Sequence, residues 1–249
     1  MGEWLQRLQE LGPQLLQGQS NSSISALEAI LLTLGCYLLG LWCYQKSGRK
    51  TLLHPVLLGG SIIALVLTQL DISYPDYRQA SQLFYFLLGP ATVALAIPLY
   101  QEFRHIRELS GPILITVIIG SITAAGSAVA VAYWLGGDAE VLLSLAPKSV
   151  TTPIALSLSE KLHGISTLTT GAVVLTGIIG AVLSPLVFKL CRLQDERLRG
   201  VVLGINAHGI GTALAFETSP RSGAFASLAM GLTGAFTALT LPYAVQYFQ

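Results

Sequence analysis

The feature that most constrains this chain is where its charges lie. Its 14 basic and 13 acidic side chains fall mainly in short clusters at 46–50, 71–78, 102–108, 138–140, 160–161, 189–199 and 217–221. Long, nearly uncharged stretches run between them. A water-soluble fold of 249 residues needs a charged exterior, and 11% charged residues is less than half the roughly 25% usual in soluble domains. Hydrophobic residues make up 52% of the chain, with a mean hydropathy of +0.64. The pattern predicts an all-α, polytopic membrane protein.

Several function classes fall away. The net charge is +1, and no basic patch is interleaved with aromatics, so nucleic acid is not an expected partner. Cys36, Cys43 and Cys191 give no zinc spacing. Cys36 and Cys43 are seven apart on one predicted helix, about 10 Å along its axis, too far for a bridge. No GxSxG, HExxH or P-loop is present, nor any paired buried carboxylates, so the chain does not read as an enzyme. His54, His105 and His163 fall in or beside loops without metal spacing, and Glu28 reads as interfacial.

Within the N-terminal segment 1–23, residues 1–17 carry Glu3, Arg7 and Glu10 and lack the basic start and long apolar core of a cleavable signal. Trp4, Leu5, Leu8, Leu11 and Leu15 recur at near-helical spacing, broken by Gly12-Pro13. This N-terminal segment is expected to lie on the membrane surface. A disordered tail and a partner-binding arm are the alternatives. Residues 24–249 form the expected transmembrane domain.

Five stretches read as spanning helices: 24–44, 55–70 (short), 113–135, 168–191 and 224–245. Three more, 83–100, 141–158 and 201–216, are apolar but interrupted. Seven or eight membrane segments result, some of them broken or re-entrant. With 141–163 as a re-entrant hairpin and 201–216 crossing, cytoplasmic loops hold nine Lys/Arg and outside loops four. With eight crossings the split is about seven to six, so seven crossings are favoured. That arrangement puts 46–50, 101–109 and 192–199 on the cytoplasmic side, with 71–80 and 161–166 opposite. The stretch 88–120 also echoes 145–180: Leu88–Val93 matches Leu145–Val150, and Gly111–Gly120 matches Gly171–Gly180. An internal inverted repeat is expected, with a site where broken elements meet near the midplane.

The sharpest motif is Pro147-Lys148-Ser149-Val150-Thr151-Thr152-Pro153. It sets one cation and three hydroxyls between two prolines in an apolar segment. A lysine at membrane depth is costly unless solvated, neutral or paired. The motif suits an anion, with Lys148 supplying charge and Ser149, Thr151 and Thr152 supplying donors. The blander reading is a snorkelling lysine beside a kink. The second motif runs from Gly204 to Thr212 through Asn206, His208, Gly209 and Gly211. Its glycines permit unwinding, and a half-helix starting at Gly209–Thr212 favours an anion. His208 suits proton relay. Hydrogen bonding between helices in a glycine seam is the alternative. The third motif, Gly89-Pro90 to Pro98, carries the single polar side chain Thr92. Packing and ligand contact suit it equally.

At these motifs the chain resembles the LrgB/CidB family. The matching stretches are Phe86–Tyr100, Ala146–Ala155 and Gly204–Ala213, and the resemblance covers roughly 50–249. It also looks like the C-terminal half of the plastidal glycolate/glycerate translocator. The resemblance implies two functions. One is control of murein hydrolase export and cell lysis with an LrgA/CidA-type membrane partner. The other is transport of glycolate, glycerate or pyruvate. It implies a bacterial inner membrane, or a plastid envelope for a plastid lineage. No ATP-binding motif or organic cofactor is expected, so transport would be facilitated or ion-driven. H⁺ coupling would use His208; Na⁺ coupling would use unwound carbonyls, Thr92 and Asn206. Glycine-rich faces such as Gly171–Gly180 suit either a second copy of the chain or internal packing.

Overall fold

The computed structural model describes residues 24–48 and 53–248. The expected surface segment 1–23 falls outside the described residues. Within them every regular element is helical, and no strand is present. The chain divides into two compact units, Met1–Ala94 and Leu95–Gln249.

In the first unit, α1 (Ala26–Lys46) packs on α2 (Pro55–Gln69). Ser25 and Glu28 form a reciprocal capping box: Glu28 N–H donates to Ser25 Oγ, and Ser25 N–H donates to Glu28 Oε2 at 2.8 Å. That satisfies two orphan donors of a helix start and gives Glu28 its role. α3 (Tyr74–Ala80) is bent 120° from α2. It is tied to α1 through Tyr77, whose hydroxyl lies 2.6 Å from Thr33 Oγ1. α4 (Gln82–Ala94) runs through Gly89 and Pro90 without a break.

In the second unit, α5 (Ala96–Gln101) and α6 (Phe103–Glu108) lead into α7 (Ser110–Trp134). The break between α4 and α5 falls beside Ala94, whose carbonyl Pro98 cannot bond four residues on. α8 (Ala139–Leu145), α9 (Thr152–Lys161) and α10 (Ser166–Leu190) follow, then α11 (Glu196–Thr218) and α12 (Pro220–Phe248). α7, α10 and α12 are long and apolar enough to cross a bilayer, as are α1 and the stretch Gln82–Gln101. Tyr133, Trp134, Tyr243 and Tyr247 are exposed at the far ends of α7 and α12. That is where amphipathic rings meet a membrane interface.

One expectation is overturned. A straight 23-residue helix would be about 34 Å long, yet Ser219 Oγ donates to Glu196 Oε2 across 2.7 Å. α11 folds back on itself at His208, whose φ is 35° and ψ −119°. Its first arm runs alongside α12: Cβ atoms added at Gly200 and Gly204 would collide with the Ser222 and Ala226 carbonyl oxygens. Its second arm returns, so that Leu203 packs with Ala215. Residues 201–216 therefore do not cross; they make a second re-entrant hairpin. Arg221 confirms the sidedness, because its guanidinium pairs with Glu102 at 3.2 Å. The loops 101–109, 192–199 and 217–221 thus share one end of this unit. Seven of its basic residues gather there (Arg104, Arg107, Lys189, Arg192, Arg197, Arg199 and Arg221). Lys161 lies at the other end.

The first hairpin, α8 and α9, enters from that other end, as expected of 141–163. A hydroxyl cluster fastens its base to α10. Thr169 Oγ1 donates to the Ser144 carbonyl at 2.9 Å and lies 2.7 Å from Ser159 Oγ. Ile165 N–H donates to Ser144 Oγ at 2.6 Å. Ser144, Ser159 and Thr169 are all fully buried. The units 139–190 and 196–248 are each a hairpin followed by a spanning helix, and they run in opposite senses. The inversion expected between 88–120 and 145–180 is seen here in this other pair of segments.

Candidate functional site

The two hairpin tips meet at mid-depth. Gly177, near the middle of α10, faces the His208 ring, since a Cβ there would lie 2.9 Å from Cε1. The same ring abuts the backbone of Val173 and of Lys148. Val173 packs in turn with Val150 and Ala155 of the first hairpin. On α12, Met230 Sδ accepts a bond from Thr212 Oγ1 at 3.6 Å, and Ile154 abuts Gly234. These contacts lie midway along α12.

The first tip is an open turn between two helices. α8 ends at Leu145, Pro147 is fully buried, and Lys148 N–H donates to the Leu145 carbonyl. Lys148 is half-buried, with Nζ 3.2 Å from Ser149 Oγ. Among the described residues, no carboxylate lies within ion-pair distance of Lys148. Thr151 is the cap residue of α9, but its side chain makes no capping bond. Thr152 and Pro153 open the helix, with Pro153 where a missing N–H costs nothing. The half-buried Thr151 and Thr152 leave the first backbone donors of α9 at this turn.

The second tip is a single residue. His208 is buried, and its Nε2 has no hydrogen-bond partner among the described residues. A left-handed φ at a histidine is strained backbone. Gly209, which follows, has open space on its side-chain side, while Gly211 packs where a Cβ would press on Leu203 O and Ala207. The positive φ thus falls on the histidine, and glycine serves the return arm. That arm, like α9, is a half-helix starting at the contact between the tips. Two positive helix ends and one lysine therefore face the same place.

The residues singled out in the sequence separate here. Lys148, Ser149, Pro147, Pro153, Thr151, Thr152, His208, Gly209 and Thr212 belong to the two tips or the layer around them. Asn206 is on the exposed side of its arm, where its Nδ2 donates to its own helix at Val202 O, 3.0 Å away. Gly89, Pro90 and Pro98 lie on α4 and α5; the Thr92 side chain is outside the described residues. The sequence reading missed Gly177, the Ser144–Ser159–Thr169 cluster, and Thr233. Thr233 Oγ1 is buried on α12 without a partner among the described residues. Each is an ordinary small residue in an apolar run, with no local signal to mark it.

Spanning helices around two facing re-entrant hairpins define an all-helical, polytopic membrane protein of inverted plan. The chain belongs to the LrgB-like family, whose family model matches residues 33–247. It is 36% identical over 219 residues to the uncharacterized protein YwbG of Bacillus subtilis, covering 88% of this chain and 97% of that one. The antiholin-like protein LrgB of the same organism is 30% identical, over 90% of this chain and 97% of its own. An uncharacterized protein of Haemophilus influenzae is 33% identical over 80% of this chain and 86% of its own. No solved structure matches the chain.

Proposed function

We propose that the chain is a carrier or facilitator for a small monocarboxylate such as glycolate, glycerate or pyruvate in a bacterial inner membrane. The observation behind this reading is the meeting at mid-depth of two half-helix starts and Lys148, with no carboxylate among the described residues paired to it. A buried ammonium is stabilised by a counter-charge, and an anion held there is equally far from both faces. Tilting one hairpin or the other exposes such a site to one side at a time. The basic end of the second unit faces the cytoplasm by the positive-inside rule. In this reading His208 carries the coupled proton.

The names of the relatives favour a second reading. Several carry the description antiholin-like, whereas carboxylate transport rests on the residues of the two tips. In the second reading the chain restrains or shapes a membrane lesion together with an LrgA-type partner, or with further copies of itself. A pore regulator of that kind needs no cation at mid-depth.

Uptake of labelled glycolate, glycerate, pyruvate and lactate into proteoliposomes containing this chain alone separates the two, with and without a pH gradient. Saturable uptake of one acid is expected. No uptake by the chain alone, with dye leakage once an LrgA-type partner is added, would overturn the carrier. If His208 carries the proton, His208→Gln keeps uptake but loses its response to the gradient.

A further inference from the structure

A second polar feature lies at the basic end of the second unit, away from the hairpin tips. It is a cleft of about 500 Å³ between the last turns of α10, the two arms of α11 and the first turn of α12. Lys189, Arg192 and Arg199 line it, and no carboxylate does. Arg199 is fixed there: its Nε donates to the Leu193 carbonyl at 2.8 Å, and its guanidinium sits 5.6 Å over the Phe188 ring. Ser222 also lines the cleft. It is fully buried, and its hydroxyl has no hydrogen-bond partner among the described residues. Phe188 and Leu203 belong to the apolar part of the wall.

We propose that this cleft binds an anionic phospholipid, with the phosphate head among Lys189, Arg192, Arg199 and Ser222. Charge selects an anion, and a buried hydroxyl without a partner supplies the neutral donor that a phosphate oxygen accepts. Size and lining select an amphiphile. The cleft is several times larger than a two- or three-carbon acid needs, and Pro185, Phe188, Leu193, Leu203 and Leu214 give it a largely apolar wall. Its place at the charged end of membrane-crossing α10, whose outer face bears exposed Leu186 and Leu190, sets it at headgroup level. The site is independent of any anion at the hairpin tips, because Leu203 and Leu214 line it five and six residues from His208.

The test is thermal unfolding of the purified full chain in neutral detergent. It is titrated with phosphatidylglycerol, with phosphatidylcholine of the same acyl chains, and with inorganic phosphate. Phosphatidylglycerol should raise the midpoint by several degrees and the other two should not. Lys189→Gln with Arg192→Gln should keep the lipid-free midpoint and lose most of the shift. Ser222→Ala should also keep that midpoint, since its hydroxyl has no partner among the described residues, and should at least halve the shift. Equal shifts with the two lipids would overturn the proposal. So would a full shift with phosphate alone, which would make this a free-anion site. An undiminished shift in Ser222→Ala, even with the double variant inactive, would reduce the cleft to diffuse surface attraction.

Discussion

Between Leu145 and Thr152 the first hairpin turns through six residues that include a buried proline, a lysine and two hydroxyls; the second turns on His208 alone. The first is fastened at its base by hydrogen bonds among Ser144, Ser159, Ile165 and Thr169. The second is fastened along its arms by the absence of side chains at Gly200, Gly204 and Gly211. A re-entrant backbone in a membrane must be buried in protein or line a wet cavity. One hairpin meets that demand with polar groups that satisfy each other. The other meets it by letting helices approach until little is left exposed. The two devices should fail differently, and substitutions can show it.

The largest effect is expected at Gly204. A methyl group there collides with the Ala226 backbone, which cannot swing aside as a side chain can. Gly204→Ala should cost about 3 kcal/mol, the upper part of the overpacking range, while Gly209→Ala, in open space, should cost less than about 0.5 kcal/mol. Thermal unfolding midpoints decide it. Equal midpoints would mean that the second hairpin is not held by close approach.

Thr169→Val comes next. It keeps the shape and leaves the Ser144 carbonyl and Ser159 hydroxyl short of a partner inside the first hairpin's base, for about 2 kcal/mol. Hydrogen exchange at 139–165 should rise, with 196–218 unaffected. Rising exchange in both hairpins would show that they are one cooperative unit.

Lys148→Met should weaken monocarboxylate binding at least tenfold, about 1.4 kcal/mol, with the unfolding midpoint of the unliganded protein kept. Ligand-induced stabilisation across a panel of short acids measures it. A wild-type response would return Lys148 to a snorkelling side chain and leave the second tip to hold the anion.

His208→Gly and His208→Ala both lose the ring packed on Gly177, but only glycine relieves the positive φ. The glycine variant should therefore be more stable than the alanine variant by about 1 kcal/mol. Equal midpoints for the two would mean that the turn is not strained at this residue.

The smallest effect belongs to Asp195, the cap of α11. The Arg197 guanidinium bonded to its carboxylate holds its pKa down to about 2. A depressed carboxylate contributes stability above its ordinary range and loses it as pH falls toward 2. Asp195→Asn should therefore cost less than about 1 kcal/mol at pH 7, with the difference from wild type shrinking below about pH 4. A difference that grows on acidification would assign the cap another role.

Helices and the first tip were legible because charge clusters and prolines are local signals. Pro147 and Pro153 bracket the first turn by removing backbone donors, which any reading of the chain detects. The second turn reads in the sequence as part of a crossing segment, since Asn206 to Gly211 looks the same whether a helix bends or reverses. What decides it is contact between residues far apart, Glu196 with Ser219 and Glu102 with Arg221. The same holds for Thr169 and Gly177, whose partners lie on other elements.

The return of α11 also settles where the last helix leads. Because α12 departs from the basic end, its final turn reaches the opposite face of the membrane from Arg221. With the basic end in the cytoplasm, a reporter fused behind α12 is delivered outside the cell's reducing interior. Alkaline phosphatase attached there should be active and green fluorescent protein should stay dark; the reverse result would put the basic end outside. The pair of hairpins thus sets any tag or antibody epitope placed after α12 at the opposite end of this unit from Arg221.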